Sequence, residues 1–147
     1  MKKVFIGSDH AGFEVKSFLL EHLAHKHQDF NVVDCGTLSS EKANYSTYAH
    51  NLSKALQNSE QSDFGILICG SGIGVSIVAN RYAGIRAALI YNEKIAELSR
   101  QHNDANVACF GARFFSVNEI KDMVETFLST PFLGGTHLER VQSIDSL

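Results

Sequence analysis

The run from Phe64 to Asn80, FGILICGSGIGVSIVAN, constrains the fold most, because it joins an apolar strand to a glycine turn and a helix within seventeen residues. Ile66, Leu67 and Ile68 form the short continuous apolar run of a strand covered on both faces. Gly70, Gly72 and Gly74 let the backbone turn tightly and point amides outward, and the helix that begins after them favours anions at its first turn. Open α/β sheets place ligands at such strand-to-helix junctions. Cys69 stands at the lip, where amides and a helix terminus suit a thiolate. The spacing is GxGxG, which is neither the GxGxxG of dinucleotide folds nor a Walker loop, since no lysine follows.

Strand-like and helix-like segments alternate along the rest of the chain. Strands are predicted at Val4 to Gly7, Asn31 to Cys35, from Phe64, at Ile85 to Ile90 and at Val107 to Phe110. Helices are predicted at Gly12 to His25, Tyr45 to Asn58, Val75 to Asn80, Asn92 to Gln101 and Val117 to Leu128. Five βα units with right-handed crossovers give an α/β three-layer sandwich around a five-stranded parallel sheet, Rossmann-like and flavodoxin-like in order. Gly134 to Leu147 reads as a short C-terminal helix whose Leu138, Val141 and Ile144 form an apolar stripe for docking on this chain or on a partner. No repeat or boundary divides residues 1–147, so a single domain is expected.

Composition narrows the function. A net charge of −3 with no basic run gives no support for nucleic-acid or membrane-surface binding. No apolar stretch approaches a membrane span, and the start MKKVFIGSDHAGF turns polar too early for a signal peptide, which predicts a cytoplasmic protein. Cys35, Cys69 and Cys109 are three, none in a CxxC pair, which points to free thiols. Cys35 and Cys109 fall in apolar runs and read as small core residues. His22, His25, His27 and His50 carry no motif and read as surface histidines.

Polar residues gather around the strand ends: Ser8, Asp9 and His10 after the first strand, Cys69, Gly70 and Ser71 after the third, Arg113 after the fifth, and Arg100, His102, Asn103 and Asp104 before the fifth. Together they offer a carboxylate, imidazoles, a thiol, a hydroxyl and guanidinium groups, a set suited to proton transfer on a small anion. Each also has a plainer reading. Asp9 is a preferred helix cap, His10 a turn residue, His102 a cation at a helix C-terminus, and Arg113 and Arg140 surface charges.

With SDHAGF, CGSGIGVSIVANR, GIRAAL, SRQHNDANV, FGAR and GGTHLERV in this order, the chain resembles the ribose-5-phosphate isomerase B family, which belongs with the lactose-pathway sugar-phosphate isomerases. The resemblance runs from Lys3 to about Ile144. It implies an aldose–ketose isomerase of the pentose phosphate pathway that uses no metal or other cofactor and binds a sugar phosphate. It also implies a homodimer or homotetramer with the site between subunits. Cys69 then matches the base that moves a proton between C1 and C2 through a cis-enediolate. Relatives that use a glutamate a few residues later have no counterpart here, where Gly74 and Val75 stand. Ser71 matches the hydroxyl beside the base, and the amides of Gly70, Gly72 and Gly74 the anion hole. His102 matches the residue that opens the furanose ring, with Asp9 assisting. His10, Arg113 and Arg140 match phosphate or sugar contacts, and Asn103 and Tyr45 further substrate contacts. Two motifs depart from the family's pattern. Thr136 stands where members often carry the arginine of GGRH, exchanging a charged fork for one neutral hydrogen bond. Asn44, Tyr45 and Ser46 replace a frequent DYP, loosening that loop. A hexose-6-phosphate isomerase acting on allose or galactose phosphates, and a flavodoxin-like module that binds a small phosphate without turning it over, remain the competing readings.

Overall fold

The fold was obtained as a computed structural model, which describes residues 1–146. Five parallel strands, β1 (Lys2–Ser8), β2 (Phe30–Asp34), β3 (Phe64–Cys69), β4 (Ala87–Leu89) and β5 (Val107–Gly111), form one sheet. Six α-helices, α1 (Phe13–Lys26), α2 (Tyr45–Gln57), α3 (Ile73–Ala79), α4 (Glu93–Gln101), α5 (Val117–Ser129) and α6 (Thr136–Gln142), pack around it. All six residues of β3 and all five of β5 are buried, as central strands of a doubly covered sheet must be.

Alternation of side chains along the strands divides the core into two layers. Val4, Ile6, Ile66, Ile68, Ala108 and Phe110 face α1, α4 and α5 through Leu19, Leu23, Ala96, Ile120, Val124 and Phe127. Phe5, Leu67, Cys69, Val107 and Cys109 face α2 and α3 through Ala49, Leu52, Leu56, Val75 and Ala79. Side-chain caps fix the helix starts: Asn44 accepts from the Ser46 amide, Asn92 from Ile95, and Ser116 forms a reciprocal capping box with Glu119.

The strand order is β2-β1-β3-β5-β4, so the last two strands are exchanged relative to the 2-1-3-4-5 flavodoxin order expected from the sequence. Burial accounts for the exchange. The short, half-exposed β4 suits an edge, whereas the fully buried VACFG of β5 requires a neighbour on each side. The strand expected over Ile85 to Ile90 shortens to Ala87–Leu89, and the terminal helix expected over Gly134 to Leu147 to Thr136–Gln142. Leu147 lies outside the described residues. Among the described residues, no helix is long and apolar enough to cross a membrane.

Candidate active site

The carboxyl edge of the sheet carries the junction singled out in the sequence. Cys69 ends β3 with a buried side chain, and the Gly72 amide donates to its Sγ at 3.2 Å. Gly72 reaches that position with φ +81, a left-handed backbone natural to glycine. Ser71 Oγ accepts from the Ile73 amide at 3.2 Å, closing the first turn of α3. Among the described hydrogen bonds, none uses the amides of Gly70, Ser71 or Gly74, so the loop keeps three donors beside the thiol. The loop is lined closely. Arg113 lies against Gly70, where a Cβ would stand 2.9 Å from Nη1, and the ring of Tyr45 lies against Gly74, where a Cβ would stand 2.7 Å from Cζ.

β1 brings Asp9 and His10 to the same edge, where the Asp9 amide donates to the Ile68 carbonyl at 3.3 Å. Asp9 Oδ1 accepts from the amides of Ala11 (2.9 Å) and Gly12 (3.3 Å) and caps the 3-10 turn His10–Gly12, so one carboxylate oxygen is committed to structure. His10 Nδ1 lies 3.1 Å from the Ala43 nitrogen and 3.2 Å from its carbonyl oxygen. Either bond ties the ring to the loop before α2 and leaves Nε2 for another partner. That loop is tied a second time, because Asn44 Oδ1 accepts from both the amide (3.0 Å) and the hydroxyl (2.9 Å) of Ser46. The chain thus replaces the rigidity of a proline with an Asx turn.

His102 and Asn103 do not join this group, contrary to their grouping with the strand ends. They follow α4, which runs back against the strand direction, and precede β5, so they stand at the amino edge of the sheet. The four residue steps from Val107 to Gly111, the register partner of Cys69, separate the edges by about 13 Å at ~3.3 Å per residue. At the amino edge His102, Asn103, His137, Arg140, Val141 and Ile144 line a cavity of about 300 Å³. The rings of His102 and His137 stack at 4.3 Å between centroids and 12° between planes. Arg140 is exposed, and no ion pair engages it among the described residues. His137 was missed in the sequence although GGTHLERV contains it, because its stacking partner lies 35 positions away and only the fold brings the two rings together.

Other polar residues of the sequence prove structural. Arg100 is buried, donates to Asp104 Oδ1 (2.9 Å), the Ala105 carbonyl (2.6 Å) and the Thr130 carbonyl (3.2 Å), and lies over the rings of Phe64 and Phe127. Arg100 and Asp104 therefore leave the candidate site. His22 and His27 are not free surface histidines, since their Nε2 atoms each stand 2.7 Å from an oxygen of Glu125 on α5. Burial alone would raise the Glu125 carboxyl, but hydrogen bonds from His22 and His27, with Lys26 nearby, hold it below the ordinary carboxylate range. His50 is likewise bound to the Tyr82 hydroxyl. Cys109 lies in the core as expected, and burial followed by its neighbour Cys69 pushes its thiol up. The half-buried Cys35 rises to about 11 through burial and then Asp34, against a smaller opposing effect of Lys16.

Known proteins share this fold over nearly their whole length. The profile of the Ribose/Galactose Isomerase family matches residues 4–144. Ribose-5-phosphate isomerase B of Escherichia coli (strain K12) is 43% identical over 147 residues, covering 100% of this chain and 97% of that protein. A crystal structure of ribose-5-phosphate isomerase B from Mycoplasma genitalium with bound ribulose 5-phosphate superposes with a TM-score of 0.92 at 40% identity, covering 97% of this chain and 93% of that one. The ribose 5-phosphate isomerase of Thermotoga maritima gives a TM-score of 0.91 at 43% identity over 99% of both chains. A family match across nearly every residue, with the same fold throughout, makes this chain a member of the Ribose/Galactose Isomerase family.

Proposed function

We propose that this chain interconverts ribose 5-phosphate and ribulose 5-phosphate through a cis-enediolate, as a step of the pentose phosphate pathway in the cytoplasm. The observation that carries the reading is the buried Cys69 thiol at the end of β3, bonded by the Gly72 amide and flanked by three uncommitted amides. As thiolate, Cys69 takes the proton from C2 of the open-chain aldose and returns it to C1. The negative charge that develops on the substrate oxygen meets the amides of Gly70, Ser71 and Gly74, each well-placed donor contributing about 3 kcal/mol. Ser71 orders the loop, its Oγ accepting from the Ile73 amide beside the base. His102 exchanges protons with the ring oxygen to open the furanose, a task suited to imidazole near neutral pH. The second oxygen of Asp9 assists. His10, Arg113 and Arg140 hold the phosphate, and Tyr45 and Asn103 hold the sugar.

One chain cannot bring these groups to one substrate, because the thiol and the ring-opening histidine occupy opposite edges of the sheet. The site is therefore completed by a second copy, whose amino edge supplies His102, Asn103 and Arg140 to the first copy's carboxyl edge. Apolar side chains left uncovered beside both edges support this assembly: Ile73 and Ile77 on α3, and Leu138 and Ile144 around α6, which buries no residue of its own. The deciding assay incubates the purified protein with ribose 5-phosphate in the presence of a chelator and follows ribulose 5-phosphate, with allose 6-phosphate and galactose 6-phosphate as comparison sugars. Absence of ribulose 5-phosphate overturns the reading, and faster turnover of a hexose phosphate shifts the substrate class.

A further inference from the structure

Arg86, Arg100 and Asp104 belong to the motifs GIRAAL and SRQHNDANV, yet the proposed chemistry uses none of them. Among the described residues, Asp104 is the one non-glycine residue with positive φ, at +46. Every polar group it owns is engaged. Its amide donates to the Arg100 carbonyl (3.2 Å), and its carbonyl accepts from Arg86 Nε (2.7 Å). Its carboxylate accepts from Arg100 Nη1 (2.9 Å) on one oxygen and from Arg86 Nη2 (3.3 Å) on the other.

Both arginines are themselves fixed. Arg100 is anchored by two carbonyls and two aromatic rings, and the Arg86 amide donates to Asn106 Oδ1 at 2.7 Å. The turn between α4 and β5 is thereby held from the helix, from the segment before β4 and from the core. The side chains of His102 and Asn103, just ahead of Asp104, carry no hydrogen bond among the described residues. A turn that only reversed the chain would be served by glycine at this φ without any clamp. Left-handed conformations at residues other than glycine persist where the surroundings over-determine them, and such residues cluster at functional sites.

We propose that the Arg86–Asp104–Arg100 clamp positions His102 and Asn103, fixing the backbone from which the ring-opening imidazole is aimed. The three clamp residues are positioning residues and do not touch substrate. The inference rests on the reading of His102 as the ring-opening group. It predicts a split between the two chemical steps. Proton transfer at Cys69 needs no ring opening when the substrate is the ketose, so exchange of the C1 proton of ribulose 5-phosphate in D₂O reports the base alone. Conversion of ribose 5-phosphate requires both steps.

The test compares wild type with Asp104→Asn, which tolerates positive φ but loses both ion pairs, Asp104→Gly, which frees the backbone, and Arg86→Gln, which removes the less buried arm. C1 exchange followed by NMR should stay within about twofold of wild type, while ribose 5-phosphate conversion should fall roughly tenfold to a hundredfold, as expected for a reacting group displaced by about 1 Å. Conversion by the variants should also stop rising with enzyme concentration, once spontaneous ring opening becomes limiting. Asp104→Gly should show the larger split. Parallel loss of exchange and conversion, or unchanged kinetics with a lowered Tm, makes the clamp a stabilising element only and overturns the proposal. A wild-type protein that neither exchanges the C1 proton nor converts ribose 5-phosphate instead overturns the isomerase reading, and the clamp's assigned purpose with it.

Discussion

Gly72→Ala tests whether the loop conformation serves the chemistry, and Gly84→Ala provides its internal reference. Both glycines hold left-handed backbones, with φ +81 and +80. A Cβ at Gly84 meets nothing within 4 Å, whereas one at Gly72 stands 2.8 Å from the Phe110 carbonyl carbon and 2.9 Å from Leu89 Cδ1. Placing an L-residue in that backbone region costs about 1–2 kcal/mol, which is the whole expected effect at Gly84. Overpacking adds about 1–3 kcal/mol at Gly72, for a total of about 2–5 kcal/mol. For a chain of this length each kcal/mol lowers Tm by roughly 2–4 °C, giving about 2–8 °C for Gly84→Ala and about 4–20 °C for Gly72→Ala. The displaced Gly72 amide would also leave the Cys69 sulfur, so C1 exchange of ribulose 5-phosphate should fall roughly tenfold to a hundredfold in Gly72→Ala and hold in Gly84→Ala. Calorimetry and NMR exchange on the two variants give both quantities. Equal Tm losses would refute the steric step, and full exchange by Gly72→Ala would refute the link between this amide and the base.

Cys69→Ser should abolish C1 exchange while retaining the fold, because an unactivated hydroxyl is a far poorer base; wild-type exchange would remove Cys69 from the mechanism. Peptide mapping after iodoacetamide treatment should find Cys69 as the substrate-protected site of inactivation, with Cys35, raised to about 11, reacting slowly. In His102→Ala, ribose 5-phosphate conversion should become independent of enzyme concentration while C1 exchange persists; equal loss of both would give His102 another task. Arg140→Ala should raise KM for ribose 5-phosphate by about one to two decades, the usual effect of losing a charged hydrogen bond, and Thr136→Arg should lower it or leave it unchanged. Unchanged kinetics in Arg140→Ala would move the phosphate to His10 and Arg113. Glu125 has a lowered carboxyl, so its contribution to stability is present above the ordinary carboxylate value and is lost as pH falls through the folded one. The Tm difference between wild type and Glu125→Gln should therefore be largest near neutral pH and close in acid; a pH-independent difference would remove the pairing with His22 and His27 as its cause.

Features set by neighbouring residues were legible in the sequence. The β3 run, the glycine loop with Cys69, the helix starting at Tyr45 and the placement of Asp9 and His10 follow from periodicity, capping and strand-end position, all of which act within a few residues. Strand exchange at β4 and β5 was less accessible because it depends on which strand can be buried on both sides, a comparison between segments. The polar group at His102 was picked out in the sequence but grouped with the carboxyl-edge residues, whereas the structure puts it at the amino edge. Strand-end reasoning applies to residues after a strand, and a helix between two parallel strands must end at the opposite edge. Contacts at long sequence separation gave no local signal. Glu125 lies 103 and 98 positions from His22 and His27, and the cap made by Asp9 looks the same in sequence as a carboxylate free for catalysis.

The separation of Cys69 from His102 across the sheet changes how inherited damage would combine in the proposed pair of copies. Each chain lends its carboxyl edge to one site and its amino edge to the other. Two alleles with lesions at the same edge would spoil every site, whatever the pairing. Two alleles with lesions at opposite edges could pair so that both defects fall in one site, leaving the other made entirely from sound halves. Dominance and complementation in such a protein would thus be sorted by edge of the sheet, and a map of which alleles rescue one another would trace the architecture without a structure.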